Sequence, residues 1–273
     1  MVSVRVGQLE VSELAEAILQ AEDDLLAVGC EVEPVPFARV LRDRTLSLIY
    51  DVNGLRNVRG KPTLQELTRA VEGSAGRKRD NHWRLVARDP ATIQHLDALL
   101  LPRGFSRQVC VAMALHGEAP KVAVPKGLEL VLAAPDDEDL LAAISHGQDL
   151  VRRDEIWYGV EVSRQMERLA LRQMREGRAE FLAARTPEGE VVGSLLLRCD
   201  QGVGFIADVG TVPSWRRRGI ASALVAAASA LARMRGFSIV GLTARRDGSP
   251  RRIYADLGFI TVGESVDWLR AGY

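Results

Sequence analysis

The sequence predicts a mixed α/β protein in which one order of elements occurs twice. Three observations carry that expectation. From Leu128 to Leu269, short apolar strand-like runs are broken by stretches of helical periodicity. A linker, Gly117-Glu-Ala-Pro-Lys-Val-Ala-Val-Pro-Lys-Gly127, separates two stretches that both look globular. Finally, the stretch from Tyr50 to Leu67 echoes the one from Ala207 to Leu224, pairing Asp51 with Asp208, Val52 with Val209, Arg59 with Arg216 and Leu67 with Leu224. Trp83–Arg88 likewise echoes Ile239–Arg245, and Gly104-Phe105 echoes Gly258-Phe259. The identities are sparse, but their order is kept, which favours an old duplication over chance. The expected domains are residues 1–118 and 127–273.

In the second domain, Leu128–Leu132 reads as a strand. Pro135-Asp-Asp-Glu-Asp139 then opens a helix with acidic residues in its first turn, where the helix dipole favours them. A helix follows around Arg164–Arg175. Phe181–Arg185 and Val191–Arg198 are strands parted by a turn at Pro187-Glu-Gly189, and Phe205–Val212 is a third. A helix runs to about Arg235, Ser238–Ala244 is a strand, Arg251–Leu257 a short helix, and Phe259–Leu269 extended.

Composition narrows the class. The 273 residues carry 36 Lys+Arg and 36 Asp+Glu, so no overall basic field draws the chain to nucleic acid or to an anionic membrane. Cys30, Cys110 and Cys199 are odd in number and far apart, which argues against a disulfide framework or a zinc site. His82, His95, His116 and His146 show no metal-ligand spacing, so no metal is expected. The longest run of low polarity, Ile220–Ala232, is too short to span a bilayer, and no secretory signal is apparent. These readings imply a soluble cytoplasmic protein. The basic run Arg77-Lys-Arg79 reads as a solvated loop rather than a nucleic-acid contact.

Positive charge is instead gathered at one point, Trp215-Arg-Arg-Arg-Gly-Ile-Ala-Ser222. Three arginines precede an apolar helix, at the end where each cation is disfavoured by about 0.3–1 kcal/mol. A bound anion removes the conflict. Backbone N–H groups, the dipole and flanking guanidinium groups together suit phosphate, and Gly219 with the small Ala221 at the start of the helix allow close approach of the backbone. Taken by composition alone, a solvated arginine turn fits as well.

Arg216-Arg-Arg-Gly-Ile-Ala221 resembles the acyl-coenzyme A signature of the GCN5-related N-acetyltransferase (GNAT) superfamily, Gln/Arg-x-x-Gly-x-Gly/Ala. Val212-Pro213 and Trp215 precede it as the family often has them, and Ile253-Tyr-Ala-Asp-Leu-Gly-Phe259 is similar to the second signature. The resemblance covers about Leu128 to Leu269. It implies a mixed, mostly antiparallel GNAT-type sheet flanked by helices, present twice, with acetyl-CoA as co-substrate. It also implies roles. Backbone amides from Arg217, Arg218, Gly219, Ile220, Ala221 and Ser222 would hold the pyrophosphate beside Arg216. The edge of Asp208–Val212, including Gly210, would pair with the pantetheine arm, with the Val212 N–H at the thioester oxygen. Tyr254 would protonate the leaving thiolate, and Asp208 is one candidate base beside ordered water. The second signature departs from the family at Asp247 and Pro250, which bears on the placement of Tyr254.

The first half lacks these features. Lys61-Pro62 stands opposite Arg218-Gly219, where proline removes an N–H, and Leu100 stands opposite Tyr254. Residues 1–118 are therefore expected to be catalytically silent. The resemblance places the acceptor site on Gln148–Gln165, with Arg152, Arg153, Asp154, Glu155, Trp157 and Tyr158, a mix that suits an ammonium group or plain helix packing equally. The expected reaction is direct acetyl transfer to a primary amine of a small molecule. A protein lysine or N-terminus, and a non-catalytic acyl-CoA-binding module, are the alternatives. Monomer and homodimer both remain open.

Overall fold

The structure, a computed structural model, describes residues 5–6, 9–72, 83–153, 159–200 and 202–270. In chain order these form β1 (Arg5–Val6), β2 (Leu9–Glu10), α1 (Val11–Leu26), β3 (Glu31–Val35), β4 (Ala38–Arg42), β5 (Gly54–Val58), α2 (Leu64–Glu72), β6 (Trp83–Ala87), α3 (Pro90–Leu100) and β7 (Ser106–Leu115). Residues 116–128 carry no helix or strand, as the two prolines and two glycines of that stretch dictate. Then come β8 (Glu129–Leu132), α4 (Glu138–Arg152), α5 (Val160–Arg175), β9 (Ala179–Arg185), β10 (Val191–Asp200), β11 (Val203–Thr211), α6 (Ile220–Met234), β12 (Ile239–Arg245), α7 (Pro250–Asp256) and β13 (Phe259–Arg270). Every helix and strand expected between Leu128 and Leu269 is present, with ends shifted by a few residues.

The chain forms two compact units, and they interleave in sequence. The larger contains Met1–Leu25, Ala112–Ala244 and Gly248–Gly263; the smaller contains Leu26–Val111, Arg245–Asp247 and Glu264–Tyr273. These units do not coincide with residues 1–118 and 127–273. The first reason is α1, whose buried Leu14, Ile18, Leu19 and Leu25 pack with Ala112, Ala114, Val203, Phe205, Ile239 and Val262. The second is β13, whose later half pairs antiparallel with β6 from Val266↔Ala87 to Arg270↔Trp83.

In the larger unit β8, β9, β10 and β11 form antiparallel pairs, and β12 joins β11 in parallel. Successive strand residues face opposite sides of the sheet. Gly204 therefore turns to α6, where a Cβ would meet that of Ala232 at 2.7 Å, while Phe205 turns to α1. Helices α4 and α5 cover the sheet through Leu140, Ile144, Ala170 and Met174, which pack on Phe181, Ala183 and Leu196. In the smaller unit β3, β4 and β5 are antiparallel, β6 joins β5 in parallel, and β13 closes against β6. Its core gathers Leu55, Leu67, Leu85, Leu96, Leu100 and the fully buried Trp268. Each unit is thus a mixed, mostly antiparallel sheet with helices, and each repeats the order strand–strand–strand–helix–strand–helix.

Candidate active site

Strands β10 and β11 run in register from Asp200↔Val203 to Leu196↔Ala207, and again at Ser194↔Gly210 and Gly193↔Thr211. Between these blocks β11 holds one residue more than β10, which is a β-bulge. The bulge lies at Asp208, whose φ of 52° is the left-handed conformation that Asp tolerates better than most side chains. The parallel pairing with β12 spans only Val203↔Ile239 to Phe205↔Gly241, although β12 continues to Arg245. Beyond Phe205 the two strands part, and β11 keeps a backbone edge that β12 does not use.

That edge leads into the arginine loop. Pro213–Trp215 form a single 3₁₀ turn, Arg217 has φ 62° and Gly219 has φ 79°. Arg216 before them is extended (φ −63°, ψ 158°), so the backbone turns sharply at the left-handed residues just ahead of the helix, where backbone N–H groups can face an anion. A Cβ on Gly219 would touch nothing within 4 Å, so the glycine is required by its conformation and not by space. Gly219 also caps α6, and no side chain bonds to the free N–H groups of the first turn, which holds no acidic residue. Ile220 is buried and closes on Gly193; Ala221 and Ser222 are half-buried. Arg216, Arg217 and Arg218 are exposed. Arg216 Nε donates to the Thr211 carbonyl, while Arg218 lies 4.6 Å over the Trp215 ring. Among the described residues none of the three pairs with a carboxylate.

Residues 148–259, from inside α4 to the first residue of β13, match the family model of the acetyltransferase (GNAT) family. Residues 148–259 form a GNAT domain. A GCN5-related N-acetyltransferase from Kribbella flavida resembles the whole chain in fold, with a TM-score of 0.67 at 18% identity, covering 95% of this chain and 96% of its own. A conserved protein of unknown function from Staphylococcus epidermidis gives 0.68 at 15%, over 90% and 96%. A tandem GNAT protein from the clavulanic acid biosynthesis pathway gives 0.52 at 14%, over 99% and 97%. At these identities the likeness is one of fold, and it extends to the N-terminal half. No curated protein matches the sequence.

Within the GNAT domain the expected residues fall into place unequally. Gly210 stands in β11 where the Val151 side chain of α4 approaches to 3.0 Å of a would-be Cβ. Val212 differs from expectation. Its N–H donates to the Val192 carbonyl at 3.0 Å, so it faces β10 and is already bonded. Alternation along the strand puts the neighbouring Thr211 amide on the opposite, open side. Asp208 is likewise engaged: its carboxylate meets Arg198 at 3.2 Å, an arginine whose side chain is only 9% exposed. The charge of a buried guanidinium needs a partner, so Asp208 has a structural task. Asp51 does not mirror it. Asp51 sits in a 3₁₀ turn ahead of β5 and pairs with Arg84, whereas the left-handed residue inside β5 is Asn57, φ 51°.

Tyr254 lies on α7, which starts at Pro250, with its ring edge-on to Phe259 at 6.3 Å. Burial pushes its phenol up from 10 to about 12, so it is a proton carrier throughout the neutral range. The expected acceptor residues Asp154, Glu155, Trp157 and Tyr158 lie outside the described residues, as does Arg77-Lys-Arg79. At the ends of that segment, Ser163 of α5 donates to Asp149 of α4, and Gln148 and Gln165 are buried. No group of three or more His, Cys, Asp and Glu side chains among the described residues is placed to hold a metal, and no helix there is long and apolar enough to cross a membrane.

The smaller unit treats its corresponding helix start differently. Glu66 accepts from the Thr63 N–H and Oγ1, both at 2.7 Å, and Thr63 Oγ1 accepts from the Glu66 N–H. This reciprocal cap sets a carboxylate over the first turn of α2. These bonds hold the Glu66 carboxyl below its ordinary range. At the matching start of α6 no side chain makes such a cap. Leu100, fully buried, takes the place that corresponds to Tyr254, four residues before a left-handed glycine and a phenylalanine.

Proposed function

We propose that the GNAT domain transfers an acetyl group from acetyl-CoA to a primary amine of a small molecule, by direct attack while both are bound. The observation that carries this reading is the uncapped start of α6, with its left-handed Arg217 and Gly219, placed directly after a strand whose edge β12 abandons. The amides from Arg217 to Ser222 would take the pyrophosphate, and the guanidinium groups of Arg216 and Arg218 would add charge from the same turn. The open side of β11, Thr211 included, would pair with the pantetheine arm. The donor to the thioester oxygen is then an amide on that side and not the Val212 N–H.

The amine nitrogen attacks the thioester carbonyl, the carbon–sulfur bond breaks, and the thiolate takes a proton from Tyr254. A phenol at about 12 holds its proton through the neutral range and yields it only as the thiolate forms, and the tyrosinate then regains a proton from solvent. The nitrogen loses its own proton to water in this account, because Asp208 is committed to Arg198. The smaller unit is catalytically silent, since Glu66 occupies its anion position and Leu100 carries no proton. Cys30, Cys110 and Cys199 are in no disulfide, which suits a reducing cytoplasm.

Isothermal titration of acetyl-CoA into the whole protein tests this. One site per chain is expected. Two sites would overturn the silent unit, and no binding would overturn the enzyme reading.

A further inference from the structure

Helix α4 turns one stripe of residues to the sheet beside the bulge. Ile144 is buried, a Cβ on Gly147 would lie 2.9 Å from the Val191 carbonyl, and Val151 covers Gly210. These positions are spaced as one helix face. Gln148 belongs to the same face, one residue after Gly147 and three before Val151. The stripe thus lies by the start of β10 and the end of β11, the far end of the open edge.

Gln148 is only 8% exposed, and its Nε2 has no hydrogen-bond partner among the described residues. A buried donor without a partner is a standing cost that an apolar side chain of the same shape does not carry. Where this stripe meets the sheet at Gly147 and Val151, it meets the Val191 backbone and Gly210, neither of which offers a side-chain partner. An N–H donor waiting beside a transfer site calls for a lone pair from a bound molecule.

We infer that Gln148 is a positioning residue for the acceptor, and that its side-chain amide donates to an oxygen carried close to the reacting amine. The inference rests on the acetyl-transfer reading above and narrows it. The nitrogen's lone pair is directed at the thioester, so the lone pair that Gln148 meets belongs to a second group. The acceptor is then a primary amine with a neighbouring hydroxyl, carbonyl or carboxylate oxygen, such as an amino alcohol or an amino sugar, and not a plain alkylamine.

Gln148→Met keeps the length and removes the donor. Two readouts on the full chain test the inference: thermal melting, and coenzyme A release with ethanolamine against propylamine and glucosamine against cyclohexylamine. Melting should rise by about 2–4 °C in the variant, because the unpartnered donor is gone. The wild type should favour the oxygen-bearing member of at least one pair by about tenfold, through KM with little change in kcat, and the variant should lose that preference. A variant that melts lower shows the amide to be already bonded in the free protein and overturns the inference. A wild type that binds acetyl-CoA but favours neither oxygen-bearing amine overturns it too, as does a preference that Gln148→Met leaves intact. Absence of acetyl-CoA binding by calorimetry would instead remove the acetyl-transfer reading, and this inference with it.

Discussion

Arg198 and Asp208 meet at 3.2 Å between neighbouring strands, across the bulge where β11 begins to part from β12. The pair ties the left-handed residue of one strand to a buried guanidinium of the next. Asp208→Asn should therefore lower stability by about 1–3 kcal/mol, because Arg198 keeps its charge in a buried place without its counter-ion. Chemical denaturation measures the loss. The kcat of the variant should change little, and a loss of about 10²-fold or more would restore Asp208 as the base.

Gly219→Ala isolates the loop. Space is free around a new Cβ, but φ 79° costs a non-glycine residue about 1–2 kcal/mol. We expect acetyl-CoA to bind about tenfold more weakly or worse, with the amine KM little changed. A proline at this position cannot adopt the observed φ, so it would disrupt the turn as a whole. Unchanged calorimetric affinity in the alanine variant would separate the turn from coenzyme binding.

Tyr254→Phe should reduce kcat by about 10²–10⁴-fold while leaving the acetyl-CoA dissociation constant unaltered. The pH dependence of stability is a second check. The folded phenol is raised above its unfolded value, so its contribution is whole below pH 10 and is lost as pH climbs towards 12. The wild type should weaken relative to Tyr254→Phe across that window, and parallel denaturation curves at pH 9 and 11 would show it.

Helix α1 should prove essential to the larger unit. Ile18→Ala should cost about 2–5 kcal/mol, because its side chain is fully buried against β-strands far along the chain. Gly241 sits under the same side chain, where a Cβ would fall 2.5 Å from Ile18 Cγ1. Gly241→Ala should destabilise the protein alone and do so much less when combined with Ile18→Ala. A double-mutant cycle with no coupling would deny that contact.

Much of the site was legible because it depends on local backbone chemistry. A strand, a turn that needs a glycine and an apolar helix all follow from near neighbours, and the structure has a left-handed Gly219 with α6 starting at Ile220. Val212 was not legible, because which side of a strand an amide faces depends on register. The bulge at Asp208 shifts that register, and only the pairing with β10 reveals it. Asp51 misled for a related reason: residue matching aligned a turn with a strand, while the conformational counterpart of Asp208 is Asn57. Arg198, a lone cation in an apolar run, was the available sign that Asp208 had a partner. The assignment of α1 and β13 was beyond reach, because an amphipathic segment shows that it has an apolar face without showing which surface covers it. Gln148 gave a fainter sign, a polar residue on the buried stripe of α4.

The interleaving of the two units also orders events in time. Helix α1 is made well before the strands that bury Leu14 and Ile18, which include β11, β12 and the start of β13. The smaller unit waits as well: β3 to β6 emerge well before β13, which brings the core Trp268 and pairs with β6. Neither unit has its full set of strands until β13 has been made. Contacts between segments so far apart in sequence close slowly, and until then α1 holds an uncovered apolar face in the company of other nascent chains. Chaperone demand during translation is thus written into where two segments of this chain come to rest.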